Sequence, residues 1–294
     1  MPIKLGLSRN LGGSAFAGLL LGLLFNGPTQ AQVTQLGYWL PIYHEDFDER
    51  VPGPSAGDYA GLPINEALRL RGDTWDPSLL TVPEHQCKPH PSTYGFRGIG
   101  TTRIWETRDP ETQQLIKIET HIEWEAQHRV IWMDGRPHPP ASAPHTWQGF
   151  STGKLEGDVL VVYTTHLKAG WIRRNGLALS DQATMTDRFY RHGNLMTHVY
   201  VIEDPVYLSE PLVRTNGFQH VANGTMAPYP CRPAVEIPRP KGEVPHHDFG
   251  DTAASQEFAK QYNLPLEAVR GGANTALPEF MKQFRPAAAP AGQR

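Results

Sequence analysis

Asp187 and His198 are the residues of this chain whose types and spacing come nearest to acid–base chemistry. They lie on two runs of alternating residues, 183–191 and 195–203, which flank His192-Gly193. A turn at His192-Gly193 sets Tyr190 against Leu195 and Asp187 against His198, on the face that also carries Met185, Phe189, Met196 and Tyr200. A carboxylate and an imidazole in apolar surroundings must hydrogen-bond to be tolerated, and their pKa values then move as proton-transfer sites require. The same pair reads equally as a buried structural ion pair. With His166 they form the candidate catalytic set, with or without a metal.

Other spacings are weaker. Gly149-Phe150-Ser151-Thr152-Gly153 matches the nucleophile-elbow pattern, and Ser151, then Asp187 or Asp204, then His220 follow in the order of a hydrolase triad. An elbow needs a strand that turns sharply into a helix, whereas residues 154–167 continue as a hairpin. Ser151 and Lys154 fit S-x-x-K, which needs one helical turn between them, and a glycine in a strand context argues against it.

Thirteen histidines raise the question of metal. His138 and His145 flank a stretch stiffened by Pro139, Pro140 and Pro144; extended as polyproline they stand about 20 Å apart, too far for one ion. They share a metal only if the loop doubles back, or if His166, His121 or His198 completes the site. His246-His247 point apart in an extended chain, and the acidic arm with His44, Glu45, Asp46 and Asp48 lacks the geometry of a calcium loop. No tightly bound metal and no cofactor is expected. Candidate ligand contacts are His138, His145, Trp147, Tyr200 and Arg173; the last, beside Arg174, suits an anionic group or is simply an exposed basic turn.

Residues 1–31 carry Lys4 and Arg9, then an apolar run at 15–25 too short to span a bilayer, then a small-residue site ending at Ala31. This reads as a secretory signal peptide, so export to the periplasm or beyond is expected. In an oxidising compartment Cys87 and Cys231 are most simply one disulfide. The net charge of −3 gives no reason to expect nucleic acid, and no later apolar run is long enough to span a membrane.

Residues 32–93 read as an extended Pro-, Gly- and acid-rich arm with a short helix at 64–70, followed by a proline-broken stretch at 83–91. Residues 94–222 change to period two: 103–107 with 113–124, 129–133, 148–155 with 159–167, and 183–191 with 195–203, while 206–213 and 218–221 add edge strands. Strands at this spacing without intervening helices imply a mainly β, antiparallel barrel or sandwich, with a lipocalin-like barrel as one form. Residues 223–294 read as a Pro-rich tail with a helix at 253–262, a short turn at 266–270 and a disordered end, packed on the same domain.

The runs 149–167 (GFSTGKLEGDVLVVYTTHL), 183–194 (ATMTDRFYRHGN) and 201–211 (VIEDPVYLSEP) resemble a large family of uncharacterised exported bacterial proteins. That family carries a G-x-S-x-G-x-W-E-G-D-x-L-V-V-x-T-T core and a later T-E-R-F plus D-D-P element. PEHQCKPHP, MDGRPHPP, EVPHH and LEAVRGGA extend the resemblance over nearly all of the chain after residue 31. Leu155 stands where the family has Trp, and Asp187 where it has Glu. The resemblance implies export and leaves the activity open.

The expectation is therefore an exported β-domain that binds a small, partly apolar molecule in an interior or cleft, walled from Trp105, Trp124, Trp132, Trp147, Tyr163, Trp171 and Tyr200. The expected partner is a small-molecule ligand. A hydrolase, lyase or isomerase using the Asp/His pair, or a structural envelope module without a pocket, are the rival readings.

Overall fold

A computed structural model of the protein describes residues 33–43, 50, 53–229, 231–235, 237–243, 250 and 252–284. The proposed signal peptide, the cluster His44, Glu45, Asp46 and Asp48 of the arm, His246-His247 and the chain's last ten residues lie outside the described residues.

The period-two segments form strands: β2 (Thr102–Arg108), β3 (Leu115–Ile122), β4 (Gln127–Trp132), β5 (Phe150–Glu156), β6 (Val159–Thr165), β9 (Thr184–His192), β10 (Leu195–Glu203) and β11 (Leu212–Val221). The arm contributes a strand that its sequence did not suggest, β1 (Gly37–Ile42), which pairs with β11 on one side and β2 on the other. These nine strands close into a barrel in the order β1-β11-β10-β9-β6-β5-β4-β3-β2. Closure leaves no strand at an edge, so residues 206–221 correct the expectation of two edge strands: only 212–221 form a strand, and it lies between β10 and β1.

Every neighbouring pair is antiparallel except β4 and β5, which run parallel and pair only at Ile131↔Ser151 and Trp132↔Thr152. Parallel neighbours need a long crossover, because a tight turn reverses the chain. The Pro- and His-rich loop at 133–149 is that crossover, and Thr146 pairs with Leu167 as it returns.

A second small sheet, β7 (Gly170–Arg173) and β8 (Leu177–Leu179), lies outside the barrel strands. Helix α1 (Glu66–Asp73) packs on β8. The Asn65 side chain caps α1 by accepting the Leu68 N–H at 3.1 Å. The proline-broken stretch is not wholly irregular: Pro83–Gln86 forms one helical turn, α2, and directly after the stretch Ser92–Gly95 forms another, α3. The tail carries short helices at Glu257–Gln261, Leu266–Val269 and Pro278–Lys282.

Inward-facing strand residues, together with apolar side chains from the helices, loops and small sheet, form two buried clusters. Trp39, Phe96, Ile118, Ile131, Phe189 and Phe218 belong to one cluster. Leu68, Leu167, Leu177, Met185, Ile202 and Leu212 belong to the other. Phe96, following α3, fills barrel space against Phe189, Phe218 and His198.

Cys87 and Cys231 form a disulfide, which ties the Pro-rich tail to α2. Gln86 reinforces the tie, donating from Nε2 to the Ala234 carbonyl at 2.8 Å and accepting the Ala234 N–H at 2.6 Å. No helix among the described residues is long and apolar enough to cross a membrane.

Candidate functional site

A continuous polar network crosses the barrel interior. Asp187 on β9 and His198 on β10 are both buried, and His198 Nε2 lies 2.7 Å from Asp187 Oδ1. Arg129 on β4 donates from Nη2 to Asp187 Oδ2 at 2.7 Å and to Thr164 Oγ1 at 2.6 Å, and from Nε to Ser151 Oγ at 3.0 Å. On the far side of the imidazole, Asn216 Nδ2 stands 3.2 Å from His198 Nδ1, and Arg50 Nη2 donates to Asn216 Oδ1 at 2.8 Å. Donors and acceptors along this chain agree with one tautomer, in which His198 carries its proton on Nε2 and accepts from Asn216 on Nδ1.

Burial alone would raise the Asp187 carboxyl, but Arg129 and His198 together outweigh it and hold the group below the usual carboxylate range. Burial lowers the imidazole of His198; Asp187 opposes that and Arg129 adds to it, so the ring is neutral beside a charged Arg129–Asp187 pair. The ring is stacked between Phe189 at 4.3 Å and Tyr200 at 4.9 Å, with both nitrogens engaged. This arrangement holds a charge pair in an apolar interior and leaves the imidazole no free face or nitrogen for a substrate.

The structure brings together Asp187, His198 and Tyr200 from the expected set, and adds Arg129, Asn216, Ser151 and Thr164. His166 is not among them, and its grouping with Asp187 and His198 is corrected. It occupies the crossover side at φ +56°, with Nδ1 2.7 Å from Thr165 Oγ1 and Nε2 2.9 Å from the Pro140 carbonyl.

The crossover does double back. His145 and His166 rings lie 5.2 Å apart, and His138 bridges Thr165 Oγ1 at 2.7 Å and Thr152 Oγ1 at 2.9 Å. Among the described residues, however, no group of three His, Cys, Asp or Glu side chains is placed to hold a metal ion.

Ser151 is a buried hydrogen-bond acceptor on a hairpin strand, and Lys154 pairs with Glu156 at 2.6 Å, so neither hydrolase pattern is assembled. Asp204 accepts four hydrogen bonds, from Ser180 N and Oγ and from Val206 N and Tyr207 N, and so pins two loops. Arg173 is buried rather than exposed, donating to the Asp58 carbonyl at 2.8 Å. Trp147 lies beside two ammonium groups, Lys88 at 5.5 Å and Lys168 at 5.3 Å. It also lines a shallow groove of about 370 Å³ along the β4–β5 seam, with His128, Trp132 and Phe150.

The larger concavity is a cleft of about 570 Å³, lined by no residue of the barrel strands. Trp75, Trp171 and Tyr207 supply aromatic walls, with Arg71, Lys88 and His85 among the polar groups. Gly176 makes the shape possible: at φ +95°, a Cβ there would fall 2.5 Å from Trp75 Cβ. Lys88 Nζ stands 4.9 Å from the Trp171 ring. Burial, and then the charge of Arg71, lowers the Lys88 ammonium pKa. Burial, then Lys88, likewise lowers His85. Of these lining residues only Trp171 stood among the expected aromatics. The usable signal was local: Lys88 and His85 flank Cys87, so the disulfide fixes the segment that carries them.

Elsewhere, His90 stacks on Trp124 at 4.4 Å, and its Nε2 lies 3.6 Å from Glu125 Oε2. That spacing would suit an ion pair, but burial pushes the imidazole down to about 3 and the carboxyl up to about 7. Both groups are therefore neutral between those values. Glu125 and Ala126 both adopt positive φ, +57° and +49°, a strained pair for residues with side chains. No protein-family model, curated protein or solved structure matches this chain, so the function must be read from these geometries.

Proposed function

We propose that this is an exported protein, of the kind its motifs resemble, that binds a small, partly apolar molecule in the cleft walled by Trp75, Trp171 and Tyr207. The observation that carries the reading is the cleft itself, about 570 Å³ with three aromatic walls and a few polar groups. That volume and lining are typical of small-molecule sites. The leader-like residues 1–31 and the Cys87–Cys231 disulfide support export. Catalysis by Asp187 and His198 is disfavoured, because their polar atoms are spent on one another and on Arg129 and Asn216.

The test is a fragment screen on the oxidised protein, read by thermal shift and tryptophan fluorescence. Hits are expected to weaken at least about ten-fold in Trp171→Leu or Tyr207→Ala. Hits that bind both variants as well as the wild type would remove the cleft from consideration.

A further inference from the structure

Resting on the cleft reading, we infer that the ligand is an anion with a flat aromatic body, an arylcarboxylate in chemical class, whose carboxylate is held between Lys88, Arg71 and the indole N–H of Trp171. The cleft is rich in donors and poor in acceptors. Trp171 Nε1, an obligate donor, is buried and has no acceptor, and His85 Nδ1, a donor in one of its two neutral tautomers, is buried without a partner. Arg71 and Lys88 form no ion pair with any described residue; Lys88 is half-buried, and Arg71 and the carboxylate among the lining side chains, Asp181, are both exposed. An ionised carboxylate is acceptor-only, and so matches what the walls leave unmet.

Charge decides between possible occupants. An aromatic cleft can hold an ammonium by cation–π attraction, but here Lys88 already occupies the Trp171 face and Arg71 stands nearby. A second cation would add repulsion. The burial and the Arg71 charge that penalise the Lys88 ammonium are both offset by an anion at hydrogen-bond distance. Trp75, Trp171 and Tyr207 present flat apolar surface for the remainder.

The experiment titrates the oxidised full-length protein at pH 7 with three probes of one shape: naphthoate, naphthamide and naphthyl trimethylammonium. Calorimetry and tryptophan fluorescence read binding in low and high salt. Naphthoate is expected to bind at least about ten-fold more tightly than naphthamide, with the advantage reduced by salt, and the ammonium probe not to bind. Lys88→Met should erase the preference for naphthoate over naphthamide and Arg71→Gln should reduce it, whereas Lys260→Met, remote from the cleft, should leave the affinities for both probes unchanged. Equal binding of naphthoate and naphthamide overturns the anion inference and leaves the cleft reading standing. Failure of all three probes, with fragment hits that ignore Trp171→Leu, overturns both.

Discussion

His198 Nε2 and Asp187 Oδ1 are 2.7 Å apart although the two residues are not opposite one another in the sheet. Across the β9–β10 ladder Asp187 faces Tyr200, and His198 faces Phe189. The turn centres on Gly193 and Asn194, with His192 opposite Leu195, so the true register differs by two residues from that implied by a His192-Gly193 turn. Strand side chains alternate with period two, so a slip of two keeps both residues on the same face. The pair meets on the diagonal, with Arg129 and Asn216 completing its hydrogen bonds.

Asp187→Asn should therefore act on stability. Removing the carboxylate leaves Arg129 buried without its counter-charge, a loss of roughly 3 kcal/mol or more. Urea unfolding should show it as a lower midpoint at unchanged slope. Replacing both charges, Arg129→Met with Asp187→Leu, should recover part of the loss. A double variant weaker than Asp187→Asn would contradict an ion-pair explanation.

Acid should destabilise the fold from a higher pH than carboxylates alone would dictate. His198 and His90 are both held below their ordinary 6.5, so below that value the unfolded chain takes up protons that the native state refuses. Glu125, raised from 4.5 to about 7, works the other way, gaining stability as pH falls through that range. Between 6.5 and 4.5 the loss from His90 and the gain from Glu125 offset one another, so the net loss on acidification in that range comes from His198. The depressed Asp187 adds a further loss as pH falls below its ordinary 3.8. Melting temperatures that stay flat from pH 7 to 5 would refute the assignment of neutral, buried imidazoles.

Glu125→Gln should raise stability at pH 8, where the wild type must ionise a mostly buried carboxyl, by roughly 2 kcal/mol. At pH 4 the carboxyl is protonated and the substitution should be nearly neutral. A gain at pH 4 as large as that at pH 8 would point to a conformational cause.

Removing the Cys87–Cys231 bond, which spans 144 residues, should cost up to roughly 4–5 kcal/mol by freeing the unfolded chain. Cleft affinity should fall as well, because Lys88 and His85 adjoin Cys87. Double Cys→Ser protein that binds cleft ligands as tightly as wild type would show that α2 holds its place without the tail.

The β class and the hairpins were legible because alternation marks a half-buried strand whatever its partner. β1 was not: GYWLPI has Pro41 and no alternation, and its extended state comes from pairing with β2 and β11. β11 read as two pieces because Asn216, turned inward to meet His198 and Arg50, interrupts its apolar side. Arg129 carries no local signal in the sequence, a charge on an inward face being recognisable only once Asp187 is placed beside it. The cleft gathers Trp75, Lys88, Trp171 and Tyr207 from four separate segments, none with a local pattern that announces a wall.

The position of β1 between β2 and β11 imposes an order of events on a chain made from its N-terminus. β1 is the first barrel strand to be synthesised, yet one of its neighbours, residues 212–221, is the last. Until that final strand arrives, β1 has only the three pairs Gly37↔Ile104, Tyr38↔Arg103 and Trp39↔Thr102 to hold it. Contacts so distant in sequence form slowly, and an open barrel exposes unpaired strand backbone meanwhile. Any chain stopped before residue 212 thus carries two sticky edges, and completion of the last strand is what converts an aggregation-prone sheet into a self-contained ring.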